Sequence, residues 1–363
     1  MNGTIYMPVG EACSSISDTY REKKNMVTLI NTSDVLEGRV LNHERVPNSN
    51  LKGQFKKTFQ RDDILYSEIR PQNRRFAYVD FSPIDYIAST KLMVIRAKKD
   101  VVSPKYLYYF LKNTSTVAEL QLLAETRSGT FPQITFSEVA NLTIPVPSLA
   151  VQEVIVQTMQ CLEDKITCNE QINDNLEQQA VALFKSWFVD FSLFGGTVPE
   201  NWEDTTLENI TTLITRGIAP KYSDNSDQTV VNQKCIRNHT IDLSLARTHT
   251  PKAINEKWLK FGDLLINSTG DGTLGRVAQV WFAPKALTVD SHVTIVRPAR
   301  EELIFYIGLW GILHEKEIES LHTGSTGQTE LPRDRVKKLK LLLPDNISLS
   351  RFNSIIAPMA STM

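Results

Sequence analysis

The chain contains two copies of one sequence template, about 200 residues apart. Residues 60–65 align with residues 260–265 at an offset of 200, and residues 89–96 align with residues 290–297 at an offset of 201. Identity between the copies is low, but the order of apolar and polar positions persists, which indicates a duplicated fold with diverged surfaces. We therefore expect two similar domains that bind different targets.

Each copy mixes strand and helix patterns. Short apolar runs bounded by turn residues predict strands, and apolar residues at helical spacing predict one helix from about Pro104 to Leu123 and another from about Glu301 to Ser320. The predicted strands are Met26–Ile30, Ile64–Ile69, Phe76–Phe81 and Lys91–Ile95 in the first copy, and Leu264–Asn267, Arg276–Phe282 and His292–Val296 in the second. The fold class is therefore α+β, with two similar mixed α/β domains.

A heptad pattern lies between the copies and predicts a helix from about Ala150 to Asp190. Apolar residues at a and d positions over five heptads are typical of a coiled coil, although an amphipathic helix packed on a core is the alternative. The predicted coiled-coil and subunit-interface residues are Ile155, Met159, Leu162, Ile166, Asn169, Asn173, Leu176, Leu183 and Trp187. We expect this long helix to join the two domains.

The same heptad pattern begins again after Pro344 and reaches only its first turns before Met363. The corresponding residues, 197 positions apart, are Ile155 with Phe352, Met159 with Ile356 and Leu162 with Met359. A second helix shorter than the first leaves part of the coiled-coil seam without an internal partner. The sequence therefore predicts self-association through the exposed seam, or capture of a helix from another protein.

The composition, 41% hydrophobic and 22% charged, is that of an ordinary globular protein. No run of about 18 apolar residues is present and the amino terminus does not resemble a signal peptide, so we expect a cytoplasmic protein. The four cysteines lack CxxC spacing and the six histidines lack metal-ligand spacing, so no metal site is predicted.

One apparent cofactor motif, GxGxxG at residues 270–275, is followed by a predicted strand instead of a helix. A dinucleotide site needs the amino terminus of a helix at that point to bind the pyrophosphate, so we predict a glycine-rich hairpin. No P-loop, HExxH or GxSxG motif is present, nor the Asn/Asp-Pro-Pro-Tyr/Phe element with which aminomethyltransferases hold a flipped adenine. We assign no cofactor and no catalytic residue.

Recognition of DNA is the function that local sequence features support. The net charge of −1 gives no global attraction to nucleic acid, but two equivalent loops, at 127–133 and 322–328, are rich in small donors and acceptors. Arginine and amide groups, which read guanine and adenine, follow corresponding predicted strands. Ordinary turns and surface solubility are the alternatives. The predicted DNA-binding residues are Arg70, Asn73, Arg74, Arg75, Arg127, Ser128, Gly129, Thr130, Gln133, Asn267, Ser268, Thr269, Arg276, Thr323, Gly324, Ser325, Thr326 and Gln328.

The whole layout resembles the specificity subunits of type I restriction-modification systems. The most specific segments are residues 129–133 leading to 142–147, the helix segments 162–166 and 184–191, and residues 31–35 together with 63–71. The resemblance implies four regions. They are a first target recognition domain at 1–148, a central conserved helix at 149–196, a second target recognition domain at 197–345, and the start of a truncated distal conserved helix at 346–363.

The resemblance also implies a non-catalytic subunit that reads DNA. Each target recognition domain would bind one half of a bipartite double-stranded DNA site. The helices would dock modification subunits that methylate adenine. A restriction subunit would then join this complex. A helix of about 40 residues is about 60 Å long, whereas one turn of B-DNA is about 34–36 Å. The helix could therefore set the spacing between half-sites. The alternative is a scaffold whose two domains bind ligands other than DNA.

Overall fold

The computed structural model describes residues 3–22, 24–49, 53–127, 130–270, 272–324 and 329–362. The chain divides into two compact units, Met1–Ile166 and Thr167–Met363. In the described ranges, no helix is both long enough and apolar enough to cross a membrane. The boundary between the units falls inside one helix, and the predicted four-region division stays a prediction.

In the part of the first unit that the structure describes, short strands are combined with four α-helices and the first part of a fifth. Its strands are β1 (Ile5–Pro8), β2 (Cys13–Ile16), β3 (Met26–Ile30), β4 (Val35–Leu36), β5 (Arg39–Val40), β6 (Val46–Pro47), β7 (Phe55–Lys57), β8 (Ile64–Ser67), β9 (Phe76–Tyr78), β10 (Tyr86–Ser89), β11 (Leu92–Ala97) and β12 (Thr143–Val146). Its helices are α1 (Val9–Ala12), α2 (Pro104–Lys112), α3 (Thr114–Arg127), α4 (Phe136–Asn141) and the start of α5 (Leu149–Phe188).

Two four-stranded sheets organise the first unit. One has the order β2-β11-β8-β9 and the other has the order β6-β3-β10-β7, while β1 pairs with β12 in a two-stranded sheet. Strand β8 is buried on both faces because Ile64 and Tyr66 contribute to one apolar cluster and Leu65 to the other. A strand that lies between two cores reads as a continuous apolar run, which is why the sequence predicts it well.

The second unit repeats this arrangement. Its strands are β13 (Glu203–Thr206), β14 (Thr211–Arg216), β15 (Thr229–Val231), β16 (Ile236–Arg237), β17 (Thr240–Ile241), β18 (Arg247–Thr248), β19 (Leu264–Asn267), β20 (Val277–Gln279), β21 (Leu287–Val289), β22 (Val293–Pro298) and β23 (Lys340–Leu343). Besides the end of α5, its helices are α6 (Ile304–Leu313), α7 (Glu315–Ser320), α8 (Arg333–Lys337) and α9 (Asn346–Thr362). The sheet order β14-β22-β19-β20 matches β2-β11-β8-β9, and the β13–β23 pair matches β1–β12.

The predicted duplication and the α+β fold class are confirmed. The two units share even individual hydrogen bonds at equivalent positions. The Tyr106 hydroxyl donates to the Pro145 carbonyl at 2.8 Å, and the Tyr306 hydroxyl donates to the carbonyl of Leu342. Each bond ties a helix to the strand that carries the chain towards α5 or α9. Such contacts depend on three-dimensional placement, so their repetition indicates that the two units share one topology.

The two predicted helices after the sheets are each broken once. In the first unit α2 ends at Lys112 and α3 begins at Thr114, since Asn113 adopts φ −58° and ψ 140°, which is not helical. In the second unit α6 and α7 are separated by His314. Apolar periodicity continues across both breaks, which is why the sequence indicated one helix in each place.

The predicted long helix is confirmed as α5, whose 40 residues begin and end within two residues of the predicted bounds. Its carboxyl-terminal end is part of the core of the second unit, where Phe184, Trp187 and Phe188 are buried. Phe352 of α9 packs on them, with its ring centroid 4.8 Å from that of Phe188 and 5.6 Å from that of Trp187. These aromatic contacts fix α9 against α5.

The glycine-rich segment after β19 is a hairpin, as predicted. Strands β19 and β20 pair antiparallel, with Leu264 opposite Gln279 and Ile266 opposite Val277. Gly270 and Gly275 have φ values of +100° and +86°, which favour glycine. Strand β20 follows this segment at Val277.

Candidate nucleic-acid interface

Polar residues from three segments of the first unit form what we call the first polar edge: Glu68, Arg70, Asn73, Lys91 and Gln133. The chain leaves β8 at Ser67 and pairs with the loop before α4, because Ile69 and Gln133 form an antiparallel bridge. The Arg70 amide donates to the Pro132 carbonyl at 3.1 Å, and the Ile134 amide donates to the Glu68 carbonyl at 2.9 Å. The structure thus brings two segments that are more than 60 residues apart into contact.

Lys91 supplies a cation to this edge. Its Nζ donates to Gln133 Oε1 at 3.1 Å and lies 3.6 Å from Glu68 Oε2, while half of its side chain is exposed. Within the described residues, the Arg70 guanidinium and the side-chain amide of Asn73 have no hydrogen-bond partner, and both residues are exposed. The first polar edge therefore presents two cations and two amides to solvent.

Backbone strain accompanies this arrangement. Arg70 and Arg74 have φ values of +44° and +51°, on either side of the short 3-10 helix Pro71–Asn73. Non-glycine residues in this region carry a conformational cost, and they occur often at functional sites. The strained turn holds the Arg70 and Asn73 side chains on the outside of the unit.

The equivalent segments of the second unit form what we call the second polar edge: Gln233, Thr269, Arg276, His292 and Glu330. Thr269 forms an antiparallel bridge with Glu330, which repeats the bridge between Ile69 and Gln133. Thr269 Oγ1 donates to Gln233 Oε1 at 3.2 Å and lies 2.7 Å from His292 Nδ1. Glu330 pairs with Arg216. The second polar edge therefore has the same backbone bridge as the first but different polar side chains.

A turn at the start of one strand places Lys91 and His292 at equivalent positions. The Lys91 amide donates to Ser89 Oγ at 3.3 Å, and the His292 amide donates to Asp290 Oδ1 at 2.9 Å. A side-chain acceptor two residues earlier fixes both turns. The frame is common to the two units, while a lysine in one corresponds to a histidine in the other.

Three predicted DNA-binding arginines in the first unit have internal partners. Arg74 Nη2 donates to Thr114 Oγ1 at 3.1 Å, and Arg75 Nη1 donates to the Ser33 carbonyl at 3.0 Å. Arg127 Nη1 pairs with Glu138 Oε1 at 2.6 Å. Burial raises the pKa of Glu138, but hydrogen bonds from Thr135 and the charge of Arg127 outweigh it, so the pKa lies below its usual value. These arginines brace loops around the first polar edge.

Two predicted DNA-binding residues of the second unit are fully buried. Asn267 Nδ2 donates to the Gln233 carbonyl at 3.1 Å, and Ser268 Oγ lies 2.6 Å from Thr294 Oγ1. Both therefore support the second polar edge from beneath. Thr269 and Arg276 are the members of this predicted group with side chains at the surface, each partly exposed.

The paired loops are only partly described. Thr130 is exposed, and Thr323 exchanges two backbone hydrogen bonds with Glu330 at 2.8 and 2.9 Å, followed by Gly324 at φ +103°. The remaining predicted loop residues lie outside the described residues; they are Ser128, Gly129, Ser325, Thr326 and Gln328.

Sequence reasoning missed five residues of the two edges: Glu68, Lys91, Gln233, His292 and Glu330. Lys91 and His292 lie within the aligned repeats, so their shared position was a signal that the alignment contained. Gln233 offered no such signal because it precedes its partner Thr269 by 36 residues and reaches it only through the fold.

The predicted interface residues of α5 differ in burial along the helix. In the first unit Ile155, Met159, Leu162 and Ile166 are 37%, 38%, 53% and 58% exposed. In the second unit Asn169 is exposed, Asn173, Leu176 and Leu183 are intermediate, and Trp187 is buried. No cluster of His, Cys, Asp or Glu suited to a metal ion occurs in the part of the chain that the structure describes.

Parts of the chain are similar to known proteins. The family described as Type I restriction modification DNA specificity domain matches residues 13–178. The Type I restriction enzyme HindI specificity subunit of Haemophilus influenzae is 47% identical over 165 residues, which are 46% of this chain and 36% of that relative. Residues 13–178 are thus similar to the specificity subunits of type I restriction-modification systems.

A second relative is similar over parts of both units. The Type I restriction enzyme MjaIX specificity subunit of Methanocaldococcus jannaschii is 26% identical over 312 residues, covering 77% of this chain and 69% of that relative. The match to the Haemophilus subunit, in contrast, spans little more than a third of that relative's length.

Two solved structures from type I restriction-modification systems have a similar fold. The type I restriction-modification S subunit from M. genitalium aligns over 99% of this chain and 89% of its own, with a TM-score of 0.57 and 14% identity. A chain from a structure of type I restriction-modification complex assembly and conformational transition aligns over 99% of this chain and 92% of its own, with a TM-score of 0.50 and 17% identity.

Proposed function

We propose that the chain is the DNA sequence-recognition subunit of a type I restriction-modification complex. Each unit would bind one half of a bipartite double-stranded site, through its polar edge. The subunit would be non-catalytic, and would work with modification subunits that methylate adenine and with a restriction subunit. The similarity to type I restriction enzyme specificity subunits supports this role.

The observation that carries the proposal is the pair of polar edges. Both are built on the same bridges and turns, yet one presents Arg70, Lys91 and Gln133 while the other presents Thr269, His292 and Arg276. Arginine and lysine bind phosphates and guanine, whereas amides pair with adenine. A repeated frame with different side chains is what a protein needs to read two unlike half-sites.

The helices supply the second part of the proposal. Helix α5 would dock the modification subunits and set the distance between the half-sites. Its exposed apolar positions from Ile155 to Ile166 provide surface for helix packing.

Mapping methylated adenines in cells that express this chain with its modification subunit tests the proposal. We expect methylation at one bipartite motif, and loss of that methylation when this chain is omitted. As a second measurement, affinity of the purified chain for duplex DNA should fall steeply with salt, because phosphate contacts release counterions. A chain that leaves the methylation pattern unchanged and binds duplex DNA without salt dependence would instead be the scaffold considered above.

A further inference from the structure

Three aromatic residues of the second unit form what we call the aromatic cluster: Phe261, Trp281 and Phe305. The Trp281 and Phe305 rings are stacked, with centroids 5.3 Å apart and planes at 17°, and the Phe261 ring meets that of Trp281 edge-on at 6.1 Å. Phe261 is 50% exposed, and the other two residues are partly exposed. Contiguous aromatic rings at a surface are typical of a binding site.

The counterparts of the aromatic cluster in the first unit are all charged. The two units can be matched through hydrogen bonds that they share. The amides of residues 60 and 260 both donate to the aspartate three positions later, and the amides of residues 79 and 280 both donate to the carbonyl of that aspartate. With the tyrosine hydroxyl bonds described above, these matches pair Phe261 with Arg61, Trp281 with Asp80 and Phe305 with Lys105. The shared fold therefore does not require rings at these positions.

A cation beside the aromatic cluster lacks the acidic partner that the first unit provides. In the first unit Lys99 pairs with Asp62 at 2.9 Å. Arg300 is the counterpart of Lys99, because each lies two residues after the end of the equivalent strand, but Gly262 is the counterpart of Asp62. Arg300 Nη1 donates instead to the neutral Asn346 Oδ1 at 2.5 Å. Within the described residues, the charge of Arg300 therefore has no carboxylate partner.

One groove of about 670 Å³ brings these features together. It is lined by Phe261 and Phe305 and by the cations Lys260 and Arg300. Lys260 is exposed, and its ammonium has no partner among the described residues. The corresponding residue of the first unit is the neutral Gln60. The volume lies within the range of sites that hold small molecules.

The groove has a positive charge. Arg297 also lines it but is neutralised by Asp263, while Glu301 adds one carboxylate. Among the described residues that line the groove, the unpaired cations therefore outnumber the unpaired carboxylates. An anion with an aromatic part fits these charges and rings.

We propose that this groove binds a nucleotide, with the base against Phe261 and Phe305 and the phosphate at Lys260 and Arg300. Aromatic side chains stack on any base, and cations beside them bind the phosphate that accompanies it. The planar guanidinium of Arg300 matches the geometry of phosphate oxygens. A free nucleotide and a unit of a single strand offer the same chemistry, whereas the bases of a duplex are stacked on each other.

The groove is separate from the second polar edge. Phe261 lies three residues before β19 begins at Leu264, whereas Thr269 of the edge lies two residues after β19 ends at Asn267. The groove and the edge are thus at opposite ends of one strand. The nucleotide site therefore does not rest on the proposed reading of duplex DNA.

Equilibrium dialysis of the full chain with dAMP tests the proposal, with a single-stranded oligonucleotide of deoxyadenosine as the second ligand. We expect dAMP to bind, and deoxyadenosine to bind more weakly because it lacks the phosphate. Lys260→Gln, which introduces the residue that the first unit has, should weaken dAMP binding about tenfold through loss of a charge-assisted hydrogen bond. Phe261→Leu should weaken it about tenfold through loss of a stacking face, whereas Phe261→Tyr should retain it.

Lys316→Gln is the matched control for Lys260→Gln. Lys316 is an exposed lysine of α7 whose ammonium has no partner among the described residues. The Lys316→Gln variant should bind dAMP like the parent chain. Circular dichroism checks that all variants fold, and their affinity for duplex DNA should equal that of the parent chain.

Absence of binding with both dAMP and the oligonucleotide would overturn the proposal. Equal affinities of the Lys260→Gln and Lys316→Gln variants would do the same, because the ligand would then lie outside the groove. If the oligonucleotide binds much more tightly than dAMP and Lys260→Gln weakens it, the ligand is a single strand; similar affinities identify a free nucleotide. Duplex affinity on the same samples tells failure of this site from failure of the proposed function.

Discussion

Arg96 donates from Nε and Nη2 to the two carboxylate oxygens of Asp63, at 2.7 and 2.8 Å. Asp63 is fully buried beside β8, and its Oδ2 also accepts from the Gln60 amide. The second unit repeats the pair, with Arg297 donating to Asp263 at 2.8 and 2.7 Å. Two-point pairing of this kind holds one turn against one strand in both units.

Replacing the buried carboxylate should destabilise either unit. We expect Asp263→Asn to lower the free energy of unfolding by about 3–5 kcal/mol, because it leaves a charge without its partner. Asp63→Asn should cost less, since 31% of the Arg96 side chain reaches water but only 12% of that of Arg297. Urea unfolding measures both. Lys99→Gln, which removes the exposed pair with Asp62, is the control and should cost about 0–1 kcal/mol; equal losses in all three variants would contradict this ranking.

Cations at the first polar edge should contribute to DNA affinity. Lys91→Ala should weaken binding, and the slope of log affinity against log salt should fall by about one if Lys91 binds a phosphate. Lys98→Ala is the control because Lys98 lies at the other end of β11, where its Nζ donates to the Glu11 carbonyl at 3.0 Å. Fluorescence anisotropy with duplex DNA measures both variants. An equal effect of the two substitutions would argue against the edge.

The two edges should govern different half-sites. Arg70→Ala should relax base preference in one half of the recognised motif, and His292→Ala should relax it in the other half. Selection of bound sequences from a random duplex pool gives both preferences at once. If both variants altered the same half-site, the assignment of one unit to each half would fail.

Helix α5 should set the spacer of the bipartite site. Deleting the seven residues Ile166–Ile172 shortens the helix by about 10 Å, equal to about three base pairs, and keeps the heptad phase. We expect methylome sequencing to find a shorter spacer between unchanged half-sites. An unchanged spacer would refute the role of α5 in spacing.

His239 should make the second unit sensitive to pH. Hydrogen bonds to Glu177 and Glu315 raise the pKa of His239 from 6.5 to about 9. Its Nδ1 lies 2.6 Å from Glu177 Oε1 and its Nε2 lies 3.6 Å from Glu315 Oε2. Because the folded pKa lies above the unfolded value, the stabilisation is complete below pH 6.5 and is lost as the pH rises through about 9.

Thermal unfolding across that range measures this effect. The melting temperature of the parent chain should fall between pH 6.5 and 9, and His239→Gln should remove most of the fall. The control is substitution of His43, which should leave the pH dependence unchanged. Among the described residues, the structure gives His43 no acidic partner. A His239→Gln variant that keeps the full pH dependence would contradict the assignment.

The sequence by itself determined the duplication, the α+β class and the long helix. These are properties of periodic apolar patterns, which survive as long as the buried faces are kept. Residues 64–67 and 149–188 are the clearest examples. The first range is a strand between two apolar clusters and the second is a helix with a heptad repeat, and each has an unambiguous apolar pattern. The family resemblance rests on the same segments.

Only the tertiary structure decided which polar residues reach the surface. Asn267 and Ser268 are polar residues at the end of a strand and were predicted to bind DNA, but the fold buries both. Lys91 and His292 lie in turns that the analysis of apolar patterns does not consider, and the fold places them at the polar edges. Tertiary packing also set the rotation of α5, which buries Val156 and exposes Ile155. The physical reason is that burial of a polar or apolar side chain depends on residues far away in the chain, and local sequence does not contain those contacts.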